Sequence, residues 1–353
     1  MSKADSDLLA LVETIFADKS GHDVVERAEA AGLPRPLWDQ LAGLGLTLIG
    51  LPEESGGSGG SMADLAGVLI AAGRHAVPLP LAENHLAGWL AEAAGVAVPT
   101  GVATVALDDE RDNLTCVDGR AHGTLHRVPW ARDADVVAAL LPGASDADTS
   151  LVLLDPTTAE LSRGADLAGQ PQDKLVFTDV AVECLPSTID VNAFHTRGAL
   201  LRSAQLTGAI EATFELTRSY VSARIQFGRP VGSFQAVQQH VVTLAQMSAA
   251  SVLAVDRAVA ALAAGDGAFE AVATKIVVSE NAQQCARAAH QAHGAIGMTK
   301  EYRLQQLTRR LHSWRSDFGS ESASAERLGR RVTHVPSFAN FVSATRPTME
   351  DSA

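Results

Sequence analysis

The sequence predicts an α+β protein: an N-terminal helical domain, a small middle β-domain, and a C-terminal bundle of about four long helices. Three observations carry this. Apolar residues recur at helical spacing over residues 1–100 and again over 191–353. Residues 101–190 instead break into short strand-like runs, each ending in Asp, Gly or Pro. No run in that middle stretch alternates with a helical pattern, which sets aside a parallel βαβ sheet. A chain of 353 residues also exceeds one ordinary domain.

In the first stretch, Leu8, Leu9, Leu11, Val12 and Ile15 form one amphipathic stripe, and Leu37, Trp38, Leu41 and Leu44 a second, closed by TLIGLP at 47–52. LPEESGGSGGS at 51–61 is a glycine-rich loop ahead of a helical pattern from Met62 to Gly73. It lacks the Lys-Ser/Thr of a P-loop and the strand-first order of a Rossmann turn, so it predicts a connection and not a phosphate cradle. Leu86, Leu90 and Ala93–Ala94 fit a further short helix. In the middle, GVATVALDD, LTCVDGRAHG, DADVVAALLPG, TSLVLLDP and KLVFTDVAVECLP read as strands of a small barrel or sandwich, with Asp118-Gly119 a turn. After 191, Leu200 to Arg224 predicts one long helix and Phe234 to Leu262 a second, ended by Gly265 and Gly267. Phe269 to Gly294 predicts a third, Glu301 to about Arg315 a fourth, and Ala323 to Val332 a fifth. Long helices with short connections make an antiparallel bundle.

Composition narrows the function. A hydrophobic content of 46% and a charged content of 20% describe a globular chain. The net charge of −13 argues against nonspecific nucleic-acid binding, yet a local arginine cluster still suffices for an anionic cofactor. Cys116, Cys184 and Cys285 form no C-x-x-C pair, which predicts reduced thiols without a disulfide framework or zinc knuckle. MSKADSDLLALVET lacks the regions of a signal peptide, and no apolar run nears the roughly 18 residues of a bilayer span. A cytoplasmic location without a membrane is the expectation.

Two segments carry chemistry. YVSARIQFGRPVGSFQAVQQ at 220–239 sets Arg224, Gln226, Phe227, Phe234 and Gln235 between two helical patterns. A diphosphate needs a fork of permanently charged donors, which Arg supplies better than Lys. The residues alone leave open an ordinary Gly-Pro turn with a solvated arginine. QAHGAIGMTKEYRL at 291–304 sets Gln291, both donor and acceptor, beside Gly294, where no Cβ obstructs an approaching group. A helix C-cap is the competing role of Gly294. His290 and His293 lie one helical turn apart, but no third ligand stands nearby, so no metal site is expected.

These segments resemble the acyl-CoA dehydrogenase family. The first matches R-x-x-F-G-x-x-(I/V)-x-x-(F/H)-Q. The second resembles Q-x-x-G-G-x-G-(F/Y)-x-x-E, with Ala295 replacing the second glycine, and the glycine-rich loop matches P-E-E-x-G-G. The resemblance implies FAD, with Arg224 facing its pyrophosphate, Phe227 packing on the cofactor, often across a subunit boundary, and Gln226 among the cofactor-binding residues. It places Phe234 and Gln235 at the adenine end, and Gln291, Gly294 and Ala295 close to the adenosine diphosphate of a neighbour's FAD.

The proton acceptor is where the sequence departs. The family's Y-E-G-(T/S) turn reads Ser316-Asp317-Phe318-Gly319-Ser320, with Phe318 where the glutamate belongs. A minority position, about 26 residues before the FAD arginine, falls on Gly198, flanked by Arg197 and Ala199. No catalytic residue is therefore expected in this chain. Asp317 is a weak candidate, one position off and one methylene short, and an ångström of misplacement costs roughly a hundredfold in rate. Solvated charge is the expected role of Asp317 and Glu321. The family's flavin-contacting segments in the β-domain have no clear counterpart. VPWARDAD places Trp130 and Arg132 near that position without a match that assigns contacts. By resemblance, then, the chain is one subunit of an α2β2 acyl-CoA dehydrogenase in which a homologous partner subunit supplies the base. The substrate is an acyl-CoA, by family analogy a bulky steroid-CoA, and electrons pass to an electron-transferring flavoprotein. An active homo-oligomer using Asp317 or an unplaced base, and a non-catalytic scaffold, stay open.

Overall fold

The computed structural model describes residues 4–143, 149–265 and 267–333; the predicted chain ends at 1–3 and 334–353 lie outside the described residues. Two compact units result. One comprises 4–65 and 77–198, the other 66–76 and 199 onward.

The first unit opens with α1 (Ser6–Lys19), whose Asp5 cap accepts from the Asp7 and Leu8 amides. Then come α2 (His22–Ala31) and α3 (Arg35–Gly43), and α5 (Leu81–Ala93) follows later in the chain. The sequence reading had no counterpart for α2, because only Val25 and Ala28 of its ten residues are buried and no long stripe forms. The glycine-rich loop is a tight connection: Leu51 bridges to Gly59, and the Gly57 amide donates to the Pro52 carbonyl. On α5, buried Asn84 donates to the Thr47 carbonyl (2.8 Å) and accepts from the Ala103 amide (2.8 Å), so the helix is anchored at both ends of one amide.

Eight strands follow: β1 (Ala103–Val105), β2 (Thr115–Val117), β3 (Arg120–Pro129), β4 (Val136–Pro142), β5 (Thr149–Leu154), β6 (Glu160–Ser162), β7 (Gln172–Ala181) and β8 (Cys184–Ser187). They form two four-stranded sheets, β1-β4-β5-β8 and β2-β3-β7-β6, antiparallel except for β1 beside β4. Leu125, Val137, Val152, Leu175 and Phe177 fill one core with residues from both sheets, as the alternating burial of β3, β4 and β7 requires. The β2–β3 hairpin turns at Asp118-Gly119, as the sequence reading expected. Trp130 and Arg132 belong to this core's edge. Trp130 is buried, and Arg132 pairs with fully buried Asp173, which also accepts from the Arg132 amide (3.0 Å) and the Gly164 amide (3.0 Å).

The second unit takes the end of α4 (Met62–Arg74) and most of α6 (Val191–Ala223). After them come the two-residue hairpin strands β9 (Ile225–Gln226) and β10 (Arg229–Pro230), then α7 (Gln235–Ala263), α8 (Ala268–His293), α9 (Leu304–Trp314) and α10 (Glu321–Val332). The helix α6 starts at Val191, ahead of its apolar stripe, because Asp190 accepts the Ala193 amide at 2.6 Å. Helices α7 and α8 pack on one another through Thr274 to the Ala254 carbonyl (3.0 Å) and Asn281 to Ser251 (3.0 Å). Among the described helices α7 alone is long and apolar enough to cross a bilayer by length and composition, a departure from the expectation of no such run; 33% of that window is buried.

Backbone touches backbone where α4 meets α6. A Cβ on Gly208 would lie 1.8 Å from the Ile70 carbonyl oxygen, and one on Gly73 would lie 1.9 Å from that of Gln205. Neither obstacle is a side chain that can swing away. Arg74 and Glu211 clamp the same crossing at 2.6 Å. Gly208→Ala is therefore expected to destabilise the protein by about 3 kcal/mol through overpacking, read by urea unfolding. A midpoint unchanged from the parent protein would refute this packing.

Candidate functional site

The second unit brings the two sequence motifs together at one end of the bundle. Arg224 follows the last turn of α6, its amide bonded to the Tyr220 carbonyl (2.8 Å), and its own carbonyl accepts from Val231 (2.8 Å) across the hairpin. Tyr220 reaches the other motif. Its ring stacks on His293 at 4.5 Å and 21°, and its hydroxyl donates to the His293 carbonyl (3.3 Å). Tyr302 packs against both rings, 5.1 Å from His293 and edge-on to Tyr220 at 5.9 Å. Burial lowers the His293 pKa and keeps the ring neutral, and its Nδ1 lies 2.9 Å from the Ala289 carbonyl, so that nitrogen carries the proton. His290 meets Thr308 instead (3.1 Å), so the two imidazoles have separate partners.

Around this brace the motif side chains face outward. Arg224, Gln226, Phe227 and Gln235 are exposed, as are Gln291, Gly294 and Ala295. Arg224 makes no ion pair within the bounds of a salt bridge among the described residues. Phe227, 90% exposed, meets only the edge of Phe234 (6.0 Å), and Phe234 carries the Arg229 guanidinium over its ring at 4.2 Å. Gly294 caps α8 at φ 65° and ψ −144°, a positive-φ conformation outside the αL well that favours glycine, and a Cβ at that point would meet nothing within 4 Å. The helix C-cap read from the sequence is thus present at Gly294. A free guanidinium, exposed amides and open backbone suit an anionic nucleotide. Tyr220 and Arg229 were missed as site residues although both lie inside the quoted motif, because nothing in spacing shows which ring braces and which arginine stacks.

The proton-acceptor positions look different. Gly198 lies buried inside α6 in the first unit, and neighbouring Arg197 stacks over Trp89 at 4.3 Å, its pKa pushed down to about 10 by burial. In the second unit Phe318 is buried at φ 55°. Asp317 is buried too, its Oδ2 3.1 Å from Arg202 Nε, with both side chains under 5% exposed. The Arg202 guanidinium lies 5.4 Å from the Trp314 ring and 5.8 Å from that of Phe318. Glu321 pairs with Arg315. The expectation of two solvated carboxylates is therefore corrected: each is held by an arginine. A pairing across more than a hundred residues leaves no trace in local sequence.

Lys275 is fully buried beside this pair, donating to the Arg315 carbonyl (2.6 Å) and Ser279 (3.1 Å). Burial pushes its pKa down to about 8 from 10.5; Asp317 and Glu321 act against that shift, Arg202 and Arg315 with it. The folded state thus binds this proton less tightly than the unfolded chain. Its stability contribution is complete above pH 10.5 and is lost as pH falls through about 8. Relative to Lys275→Met, the parent protein should gain up to about 3 kcal/mol between those limits, measured by unfolding at stepped pH. Parallel curves for the two proteins would contradict this.

A separate apolar groove of about 640 Å³ lies in the first unit, lined by Val24, Ala28, Leu33, Pro36 and Leu37, and holds none of the motif residues.

Comparison with known proteins places the fold in a family. Residues 4–96 match the model of the acyl-CoA dehydrogenase N-terminal domain, and residues 191–333 that of the C-terminal domain. Acyl-CoA dehydrogenase IpdE2 of Mycobacterium tuberculosis is 30% identical over 334 residues, 92% of this chain and 96% of the relative. Acyl-CoA dehydrogenase FadE34 of the same organism is 32% identical over 85% of this chain, which spans only 42% of that longer relative. The solved Tcur3481-Tcur3483 steroid ACAD superimposes with a TM-score of 0.84 at 24% identity, covering 93% of this chain and 97% of that one. A chain of the ChsE4-ChsE5 complex from Mycobacterium tuberculosis gives 0.83 at 22%, covering 96% and 99%. At those identities the two structures attest the fold. With its helical N-terminal, β middle and helical C-terminal parts, and a relative matched along nearly its whole length, the chain belongs to the acyl-CoA dehydrogenase family.

Proposed function

We propose that this chain is the base-deficient subunit of a heteromeric, FAD-dependent acyl-CoA dehydrogenase. One observation carries the reading. Where the family keeps its carboxylate, this chain buries Phe318, and the adjacent Asp317 is occupied by Arg202. Removal of the thioester's α-proton needs a carboxylate with a free lone pair facing the α-carbon. A phenyl ring has none, and the Asp317 oxygen points at a guanidinium. A homologous partner would supply the base, and the complex would yield a trans-2-enoyl-CoA.

The exposed motif residues would serve the cofactor. Bound FAD would provide the hydride acceptor of the reaction. Arg224 would pair with its diphosphate, Gln226, Gln291 and the open backbone at Gly294 and Ala295 would line its nucleotide end, and Phe234 and Gln235 would sit toward the adenine. Phe227, nine-tenths exposed at a hairpin tip, would pack on the cofactor at a boundary with a second polypeptide. Ile225, Val242 and Leu253 extend this exposed apolar character onto α7. Solved neighbours whose names join two polypeptides, ChsE4-ChsE5 and Tcur3481-Tcur3483, support a homologous partner. The words "steroid ACAD" in the second name support a bulky steroid-CoA substrate. An electron-transferring flavoprotein would accept the electrons, in the cytoplasm.

The test is expression of the chain alone and together with a full-length homologue, followed by flavin absorbance and titration with acyl-CoA. The reading expects flavin that bleaches with thioester only in the co-expressed complex. Arg224→Ala in that complex should weaken flavin retention about 10- to 100-fold, the loss of a charge-assisted hydrogen bond. A yellow protein purified alone and bleached by acyl-CoA would establish a self-sufficient enzyme instead. A stable chain that never affects flavin content in any complex would establish a scaffold.

A further inference from the structure

The fold brings together two cysteines that lie far apart in sequence. Cys116 is the central residue of β2, opposite Ala121 of β3, and Ala121 pairs in turn with Val180 of β7. Just past β7, the Val182 amide donates to the Gly119 carbonyl at 2.9 Å, which turns the chain back over the β2–β3 hairpin two residues before Cys184. Cys184 is there the neighbour whose thiol, after burial, does most to raise that of Cys116. Cys184 opens β8, paired with Val152, and so belongs to the other sheet. Cys184 is exposed, whereas Cys116 is half-buried and packs against the β-core. Cys285 is buried in the bundle beside the Ile210 carbonyl (3.9 Å) and has no part in this pair.

We propose that Cys116 and Cys184 form a redox-responsive pair that closes to an intramolecular disulfide joining β2 of one sheet to β8 of the other. The oxidant is a low-molecular-weight disulfide of the glutathione class. Exposed Cys184, as thiolate, attacks one sulfur of the oxidant, forming a mixed disulfide and releasing one small thiol. Cys116 then gives up its proton and attacks the Cys184 sulfur, expelling the second small thiol. Two protein thiols are oxidised to one disulfide, and one small disulfide is reduced to two thiols. The order of events follows from exposure and acidity. Burial, and then the Cys184 contact, raise the Cys116 thiol above its ordinary range, which suits the resolving position better than the attacking one. The crosslink would tie both sheets together at the strand that leads into α6, and it is independent of the catalytic reading above.

The experiment incubates the reduced full-length protein with oxidised glutathione, quenches in acid, alkylates under denaturing conditions and maps peptides by mass spectrometry. Free thiols should fall from three to one, leaving Cys285, with a linked peptide joining Cys116 and Cys184 inside a monomer. Cys116→Ser should instead accumulate a glutathione adduct on Cys184, and Cys184→Ser should retain both remaining thiols. Three free thiols in the treated parent protein, a parent arrested at the glutathione adduct, or linkage between chains would each overturn the proposal.

Discussion

A guanidinium taken out of water needs compensating partners, and the buried Arg202 imposes that constraint on the interior of this bundle. An isolated buried charge is costly by several kcal/mol, and Arg202 meets Asp317 at 3.1 Å and donates to Gln205 as well. The pairing has a chemical consequence. Asp317, one residue from the position proposed above for the missing proton acceptor, is held by Arg202. Phe318, held at positive φ, and Trp314 wall the same guanidinium with aromatic rings. Lys275 caps the adjacent Arg315 carbonyl. The turn between α9 and α10 therefore has both of its carboxylates, Asp317 and Glu321, held by arginines.

The other end of the bundle is arranged in the opposite way. Tyr220, stacked on His293 with Tyr302 packed against both rings, fixes the end of α6 against the end of α8, and the polar groups beyond that cluster face outward. Arg224 stays unspent while Arg202, on the same helix, is fully engaged. One helix thus separates a recruiting surface from a self-satisfied interior. That division fits a subunit that holds part of a cofactor whose reaction is completed by another chain.

Much of the fold was legible because it is periodic. The long stripes of α6, α7 and α8, the Asp118-Gly119 hairpin and the breaks at Gly265 and Gly267 all follow from local chemistry. α2 and β6 were not legible, since each buries too few residues to show a period. The site divided similarly. The motif segments could be read because their residues are consecutive, but the Tyr220–His293 stack, the Arg202–Asp317 pair and the meeting of Cys116 with Cys184 are tertiary events between distant positions. The expectation of solvated charge at Asp317 failed for that reason: its residue type favours the surface, and a buried arginine overrode it.

The central claim is that this chain owns no group able to take the α-proton. It is tested most directly by exchange of that proton with deuterated water, followed by NMR on acyl-CoA bound to the assembled complex. With the partner's base carboxylate replaced by its amide, the account expects exchange to vanish altogether. Residual exchange that disappears only when Asp317→Asn is added would contradict it.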